Sequence, residues 1–171
     1  MTTSARVQLP TFDEVDELPM ELRTTVQAEY LDINNHMNIR HYLGLHVDAF
    51  DGPLFSDLGF GAAYVDRGLS FFQVDNHLRY LSEVRGGDEV SVHVRFLSRT
   101  EKTVHAVSFI LNRSTSTLAN TMEFLMLHVD LHTRRAVDVN RADMGALDQR
   151  IETDSTLAWT FPTSGCIPNR R

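Results

Sequence analysis

The residues best placed to do chemistry lie in the segment DINNHMNIRHYL, residues 32 to 43, where small polar groups precede an apolar helical pattern. A helix start needs one capping residue, and Asn38 can supply it. A compact turn would bring the Asp32 carboxylate close to the start of the helix at Ile39. Free backbone N–H groups there carry partial positive charge and can hold an oxyanion. The segment therefore fits acyl transfer to water, although ordinary turn chemistry is the competing interpretation.

The histidines do not form a convincing metal site. His36, His41 and His46 recur every five residues, and five residues of helix advance about 500°, so their side chains diverge. His128 and His132 would lie about 13 Å apart in an extended chain, too far to share one zinc ion. We therefore predict no metal site. The sequence also lacks a GxSxG elbow and a Walker motif.

Composition restricts the class of protein. The 171 residues fit one domain with short tails, and a formal net charge of −7 argues against a nucleic-acid partner. Cys166 is the only cysteine, so no intrachain disulfide can form. Residues 1–21 lack the apolar core of a signal peptide, and no apolar run reaches the roughly 20 residues that span a membrane. We expect a cytoplasmic protein without a membrane partner.

The hydrophobic pattern predicts a strand, a buried helix and then a β-meander. Residues 1–21 are polar, acidic and interrupted by prolines, which predicts an extended lead-in, and residues 22–31 predict a first strand. A helix follows from Ile39, with a stop or kink at Gly52 and Pro53, and continuation beyond it is plausible. Residues 63–65 suggest a short strand.

Four long β-type runs fill the second half, at residues 71–82, 88–98, 102–113 and 117–131. Credible hairpin turns separate them. In the second run the even positions 90–96 are apolar and should share one face. Residues 141–151 predict a short helix, and the rest of the chain reads as an extended tail. The fold class is α+β, with one helix cradled by one antiparallel sheet.

The segment EYLDINNHMNIRHYL, residues 29–43, carries a motif of the form Asp-x-x-Gly-His-hydrophobic-Asn, with Asn35 in place of the glycine. It resembles the hot-dog-fold acyl-CoA thioesterases of the 4-hydroxybenzoyl-CoA thioesterase type. The stretches HLRYLSEV (residues 77–84) and LANTMEFLMLHVDLHTRRA (residues 118–136) are most similar to the bacterial betainyl-CoA and carnitinyl-CoA thioesterases. The resemblance implies a hot-dog domain over residues 22–137, a lead-in over 1–21 and a C-terminal extension over 138–171.

The resemblance also implies roles for individual residues. Asp32 takes the position of the catalytic carboxylate, either as general base or as nucleophile, and the Ile39 N–H takes that of the oxyanion donor. Asn35, His36 and Asn38 would support the turn. Asn35 suits this position because asparagine tolerates positive φ better than most residues.

The implied substrate is a small acyl-CoA, and no cofactor is expected because a thioester carbonyl is already activated. The candidates for substrate binding are Phe72, His77, Arg79, Tyr80 and Arg85. Arg99, Lys102 and Arg113 could also meet the phosphates of coenzyme A, and Phe71 could border the acyl group.

The resemblance further implies a homodimer or a dimer of dimers with shared sites. Two alternatives remain open at this stage. One is a hot-dog acyl-CoA dehydratase, and the other is an acyl-CoA-binding module without turnover.

Overall fold

The computed structural model describes residues 8–167. The α-helices are α1 (Phe12–Asp16), α2 (Ile39–Ala49), α3 (Phe55–Asp57), α4 (Ala62–Val65) and α5 (Gly145–Ser155). The strands are β1 (Met20–Thr25), β2 (Leu69–Tyr80), β3 (Glu89–Arg99), β4 (Thr103–Asn112), β5 (Thr117–Asp130) and β6 (Arg135–Ala136). Two 3-10 turns lie at Ala28–Tyr30 and Arg141–Asp143.

The strands form one antiparallel sheet in the order β1-β3-β4-β5-β2, and β6 adds to β5. The inner face of the sheet packs on α2 and on the segment that follows it. Tyr42, Leu45 and Ala49 of the helix are buried there. One helix held by a curled antiparallel sheet confirms the predicted α+β class and the hot-dog architecture.

A kink follows helix α2 at Gly52 and Pro53, one of the two outcomes predicted there, and helical structure resumes beyond it. A π-helical turn at Phe50–Leu54 contains Pro53 and a non-helical Gly52, with φ −80° and ψ −147°. Proline cannot donate to the helical ladder, so the chain changes direction before α3 begins. The kink turns Phe55 and Leu58 onto the far end of the core.

Both faces of the sheet are covered. In β3, Val90, Val92, Val94 and Phe96 face inward as predicted, and the alternate residues face outward. The outer positions are nevertheless buried, because the two terminal segments lie over them. These segments supply Val15 and Leu18 from the N-terminal side, and Trp159 and Phe161 from the C-terminal side.

Ion pairs and hydrogen bonds fasten the terminal segments to this outer face. Arg95 donates to the carbonyls of Trp159 (2.7 Å) and Asp154 (3.0 Å). Glu123, which is buried, accepts from the Ser164 N–H at 2.6 Å and lies 2.9 Å from His105 Nε2. The terminal segments thus complete the outer layer of the domain.

Three predictions about local structure are wrong. The lead-in is not extended throughout, because Thr11 and Glu14 form a reciprocal capping box that starts α1. The first strand spans Met20–Thr25, and a 3-10 turn replaces its predicted second half. Residues 63–65 are helical within α4.

The four long strands and the helix near residue 145 are confirmed. The C-terminal tail is irregular, as expected, but it is packed against the sheet. The ends of the predicted lead-in and tail, residues 1–7 and 168–171, lie outside the described residues.

Candidate active site

The turn before α2 holds the Asp32 carboxylate through its own backbone. Asp32 Oδ1 accepts from the N–H groups of Asn34 (2.8 Å) and His36 (3.4 Å), and the Asp32 N–H donates to the His36 carbonyl (2.9 Å). Asn35 adopts φ 63°, as the glycine substitution suggested. Within residues 8–167 the second oxygen, Oδ2, has no hydrogen-bond partner, so it is the one available to a ligand.

Helix α2 begins with a free amide beside this turn. Asn38 is the N-cap, and its side chain accepts from the Arg40 N–H at 3.2 Å. The His41 N–H donates to the Asn38 carbonyl at 2.9 Å. Among the residues that the structure describes, the Ile39 N–H has no acceptor. A free N–H at the positive end of a helix is suited to an anionic oxygen.

Asp32 and Ile39 both line one open pocket of about 360 Å³. Its lining residues are Asp32, His36, Met37, Ile39, Tyr42, Tyr80, Leu81, Ser82 and Glu83. The pocket lies between the start of α2 and the end of β2 with the loop that follows. Its size suits a small acyl group and the adjoining thioester.

The walls of the pocket are aromatic and acidic. The rings of Tyr42 and Tyr80 meet edge to face, with centroids 5.2 Å apart. Burial raises the pKa of the Tyr42 hydroxyl, so this residue stays neutral. The Glu83 carboxylate lies 3.1 Å from His36 Nε2 and 3.3 Å from Arg85 Nη2. The pocket therefore contains two carboxylates and no lysine or arginine in its lining.

The structure brings only some of the predicted substrate-binding residues to this pocket. Tyr80 lines it, and Arg85 lies at its rim through Glu83. Phe72, His77 and Arg79 lie on the opposite face of β2 from Tyr80, so the geometry of one protomer does not support a role for them in the pocket. The other suggested acyl contact, Phe71, packs in the core at the far end of the helix.

The remaining basic candidates are engaged elsewhere. Arg99 pairs with Asp148, with Nη2 2.6 Å from Oδ2. Arg113 pairs bidentately with Asp16, at 2.6 and 3.1 Å. Lys102 lies 3.4 Å from Asp138. None of these three cations lines the pocket.

The histidines are separated, as the helical geometry predicted. His41 stacks on Tyr30, with ring centroids 4.3 Å apart, and His46 is buried in the core. His128 contacts the Tyr64 hydroxyl at 2.8 Å. Over residues 8–167, no group of three or more His, Cys, Asp and Glu side chains is arranged to hold a metal ion. In the same residues, no helix has the length and apolar character to cross a membrane.

Sequence reasoning missed several pocket residues: Met37, Tyr42, Leu81, Ser82 and Glu83. The last three belong to the stretch HLRYLSEV, from which only His77, Arg79 and Tyr80 were predicted to bind substrate. Backbone bonds fix this stretch, because Leu81 and Ser82 both donate to the Ala119 carbonyl, at 2.9 and 3.2 Å. Tyr42 carried a weaker signal, as an aromatic residue one turn into the helix.

The chain is similar in sequence to known proteins. A protein named L-carnitine dehydrogenase/betainyl-CoA thioesterase from Rhizobium sp is 33% identical over 154 residues, which are 90% of this chain and 31% of the relative. The chain thus spans less than a third of that relative's length. A betainyl-CoA thioesterase from Pseudomonas aeruginosa is 29% identical over 114 residues, 66% of this chain and 71% of the relative.

A solved structure shares the fold. A Staphylococcus aureus protein in complex with CoA superposes with a TM-score of 0.75 and 24% identity, over 84% of this chain and 90% of that one. The family described as the thioesterase-like superfamily matches residues 26–151, most of the chain. With the hot-dog fold and the turn at Asp32, this match shows that the chain belongs to the thioesterase-like superfamily.

Proposed function

We propose that the protein is an acyl-CoA thioesterase, which hydrolyses a small acyl-CoA to the free acid and coenzyme A. One observation carries the proposal: Asp32 and Ile39 line the same pocket, and within residues 8–167 the Asp32 Oδ2 and the Ile39 N–H have no hydrogen-bond partner. The family match and the names of the relatives agree with this chemistry.

In the proposed reaction the thioester carbonyl oxygen lies on the Ile39 N–H, which stabilises the negative charge that develops during attack. With Asp32 as general base, water loses a proton to the carboxylate as its oxygen bonds to the carbonyl carbon. The C–S bond then breaks, and the proton passes to the departing thiolate. With Asp32 as nucleophile, the carboxylate attacks the carbonyl carbon and the C–S bond breaks, which releases the coenzyme A thiolate and leaves an acyl-aspartyl anhydride. Water hydrolyses the anhydride in a second step to the free acid and the Asp32 carboxylate, and the proton released passes to the thiolate.

We propose a short cationic acyl group, of the kind named for the relatives. Tyr42 and Tyr80 offer ring faces and edges, and the Glu83 carboxylate adds negative charge beside them. A quaternary ammonium group is attracted to aromatic faces by about 0.5–2 kcal/mol. The phosphates of coenzyme A would extend past the rim, where Arg85 lies.

We also propose that a second copy of the chain completes the site. β2 is an edge strand of the sheet and carries an exposed Val74. Apolar residues with large exposed fractions surround the pocket: Ile33, Ile39, Leu43, Tyr80 and Leu81. Exposed apolar surface beside a free strand edge favours association. The outer face is already covered by the terminal segments, which favours a homodimer over a dimer of dimers.

The oligomeric state can be measured directly by light scattering at micromolar concentration. We expect twice the monomer mass for the native protein, and a shift toward monomer in Leu43→Glu, which places a charge on the exposed apolar surface. Lys102→Glu, a charge change outside this surface, should keep the native mass. A monomeric native protein would contradict the shared site.

Thiol release from a panel of acyl-CoAs tests the reaction. The panel should contain short, branched, aromatic, betainyl and carnitinyl thioesters. The parent should carry Cys166→Ser, because this exposed thiol would react with the detection reagent. We expect turnover of at least one member, and Asp32→Asn should reduce kcat by about 10³-fold or more if Asp32 is base or nucleophile.

Three outcomes are decisive for this assay. Tight binding without turnover across the panel would identify an acyl-CoA-binding module. Turnover that Asp32→Asn leaves unchanged would mean that the site lies elsewhere on the same fold. Loss of turnover with unfolding of Asp32→Asn would assign the residue a structural role only, so circular dichroism of the variant accompanies the assay.

The role of Asp32 can be resolved with a single turnover in ¹⁸O water under excess enzyme. A general base leaves the label in the product acid. Water attack on the Asp32 carbonyl of an anhydride leaves the label in the enzyme, where peptide mass spectrometry detects it.

A further inference from the structure

Two pairs of side chains form two successive layers at the inner wall of the pocket. Tyr42 and His46 are one turn apart on α2, and Tyr80 and Asn120 are directly opposed across β2 and β5. Tyr42 meets Tyr80, and His46 Nε2 lies 2.8 Å from Asn120 Oδ1. The tyrosines border the pocket, whereas His46 and Asn120 lie in the next layer inward.

His46 fixes the orientation of the Asn120 side chain. His46 is fully buried, and burial lowers its pKa to about 4, so the ring is neutral near neutral pH and has one N–H. Its Nδ1 lies 2.7 Å from Ser108 Oγ. The consistent arrangement has Ser108 donating to Nδ1 and the Nε2–H donating to Asn120 Oδ1.

This arrangement leaves the Asn120 amide half satisfied. Asn120 is fully buried, and its Nδ2 has no hydrogen-bond partner among the described residues. Flipping the Asn120 amide by 180° would pair Nδ2 with His46 and leave Oδ1 without a hydrogen-bond partner instead. An unsatisfied buried polar atom costs about 1–3 kcal/mol, a cost that leucine at this position would not carry. Such a group calls for a partner outside the resting protein.

We propose that Asn120 determines acyl specificity by hydrogen bonding to a hydroxyl group on the acyl chain of the substrate. Tyr80 is 50% exposed, so its ring is free to turn aside and admit the chain, whereas Tyr42 is buried and fixed. A hydroxyl both donates and accepts, so it satisfies whichever end of the amide faces it. The inference rests on the proposed function in placing an acyl-CoA in the pocket.

Thr121 provides a matched control on the neighbouring position. Its Oγ1 is also buried, and it too has no hydrogen-bond partner within residues 8–167. Strand alternation places it on the outer face of the sheet, away from Asn120 and the pocket. A general effect of removing an unsatisfied polar atom would appear in the variants of both residues. An effect on substrate binding would appear only in the Asn120 variant.

The test compares butyryl-CoA with 3-hydroxybutyryl-CoA, using both enantiomers, by calorimetric binding to the Asp32→Asn protein. We expect the better hydroxyacyl enantiomer to bind about tenfold more tightly than butyryl-CoA, the value of one buried hydrogen bond. Asn120→Leu in the same background should remove this preference and keep the affinity for butyryl-CoA. Thr121→Val should retain the preference. The ratio of kcat/KM in the active protein should follow the same pattern.

The outcomes separate this inference from the proposed function. Equal affinities in the Asp32→Asn protein, or a preference that survives Asn120→Leu, would overturn the inference and leave hydrolysis intact. A hydroxyl preference in binding, with no hydrolysis by the active protein, would keep the inference and overturn the proposed function. Binding of neither thioester would overturn the inference and leave the proposed function to the thiol-release panel. If Asn120→Leu does not fold, His46→Leu/Asn120→Leu replaces both partners with apolar groups and serves instead.

Discussion

At its N-terminal end, helix α2 meets a turn of small polar residues and an open pocket, whereas the segment after its C-terminal end packs into a group of aromatic rings. We refer to this group as the aromatic cluster, formed by Phe50, Phe55, Phe60, Phe71 and Phe124. At the open end, the Ile39 N–H and one Asp32 oxygen have no hydrogen-bond partner within the part of the chain that the structure describes. In the cluster, the rings of Phe50 and Phe124 lie 4.5 Å apart and both residues are buried.

The difference shows how one helix serves two needs. Unpaired polar groups at the open end are available to a substrate, and they do not contribute hydrogen bonds to the folded state. Burial of large apolar side chains contributes about 1.5–3 kcal/mol each, and this contribution is concentrated at the closed end. Substitutions at the two ends should therefore separate stability from activity.

The largest expected effect is on stability at the closed end. Phe50→Ala should lower the free energy of unfolding by about 3–5 kcal/mol, because it leaves a cavity among packed rings. The activity of the molecules that remain folded should change little. Ile39→Ala, at the open end where Ile39 is 66% exposed, is the matched control and should cost far less. Urea unfolding measures the loss in free energy of unfolding in both variants. Equal losses would contradict the predicted difference between the two ends.

A large effect on activity at the open end should follow from removing one N–H. Ile39→Pro deletes the proposed oxyanion donor, and proline is well accepted at the first position of a helix. Asn38 already has φ −63° and ψ 142°, which suits a residue before proline. We expect kcat to fall about 10²–10³-fold with stability nearly unchanged. Ile39→Ala retains the N–H and should retain activity, so similar losses in both variants would refute the oxyanion role.

His46 lies between the two ends and should make stability depend on pH. Its folded pKa of about 4 is below the ordinary histidine pKa of 6.5, so the unfolded state binds more protons between these two pH values. The stabilisation is complete above pH 6.5 and is lost as pH falls toward 4, by about 3 kcal/mol in all. His46→Leu should remove this dependence. Urea unfolding from pH 7 to pH 4 measures the effect. The free energy of unfolding should fall more steeply with decreasing pH in the native protein than in His46→Leu.

The smallest effect should arise from the turn itself. Asn35 occupies the left-handed region, with φ 63°. Asn35→Ala should cost about 1 kcal/mol, since alanine is strained there, and Asn35→Gly should cost little. If the turn positions Asp32, kcat should fall in the alanine variant and recover in the glycine variant. Thermal unfolding and thiol release on both variants provide the two readouts, and an unchanged kcat in Asn35→Ala would separate the turn from catalysis.

Much of the fold could be predicted from the sequence because the hydrophobic periodicity of its strands and its long helix is strong. The long strands alternate over ten or more residues, and α2 is apolar around much of its circumference. The turn was predictable from residue types, since Asn35 replaces a glycine in a recognisable motif. The capping box of Thr11 and Glu14 indicates helix α1. The helix is short and lies among acidic residues and prolines, so the segment was predicted to be extended instead.

The assignment of side chains in β2 could not be predicted from its period alone. A bulge between Gln73 and Asp75 shifts the register, so Phe71 faces inward before it and Leu78 and Tyr80 face inward after it. Nothing in the residue types marks this bulge. The inner face is buried under α2 and the outer face under the terminal segments, so neither face of the sheet is the exposed polar face that usually identifies the solvent side.

The fastening of both terminal segments to the outer face has a practical consequence for attaching other molecules. Leu9 and Phe12 pack on this face from one end of the described chain, and Trp159, Phe161 and Ser164 contact it from the other. A fluorophore or surface tether attached to an exposed side chain of either described segment would lie on the side of the sheet remote from the pocket. Protein immobilised in this way should keep the pocket facing solution.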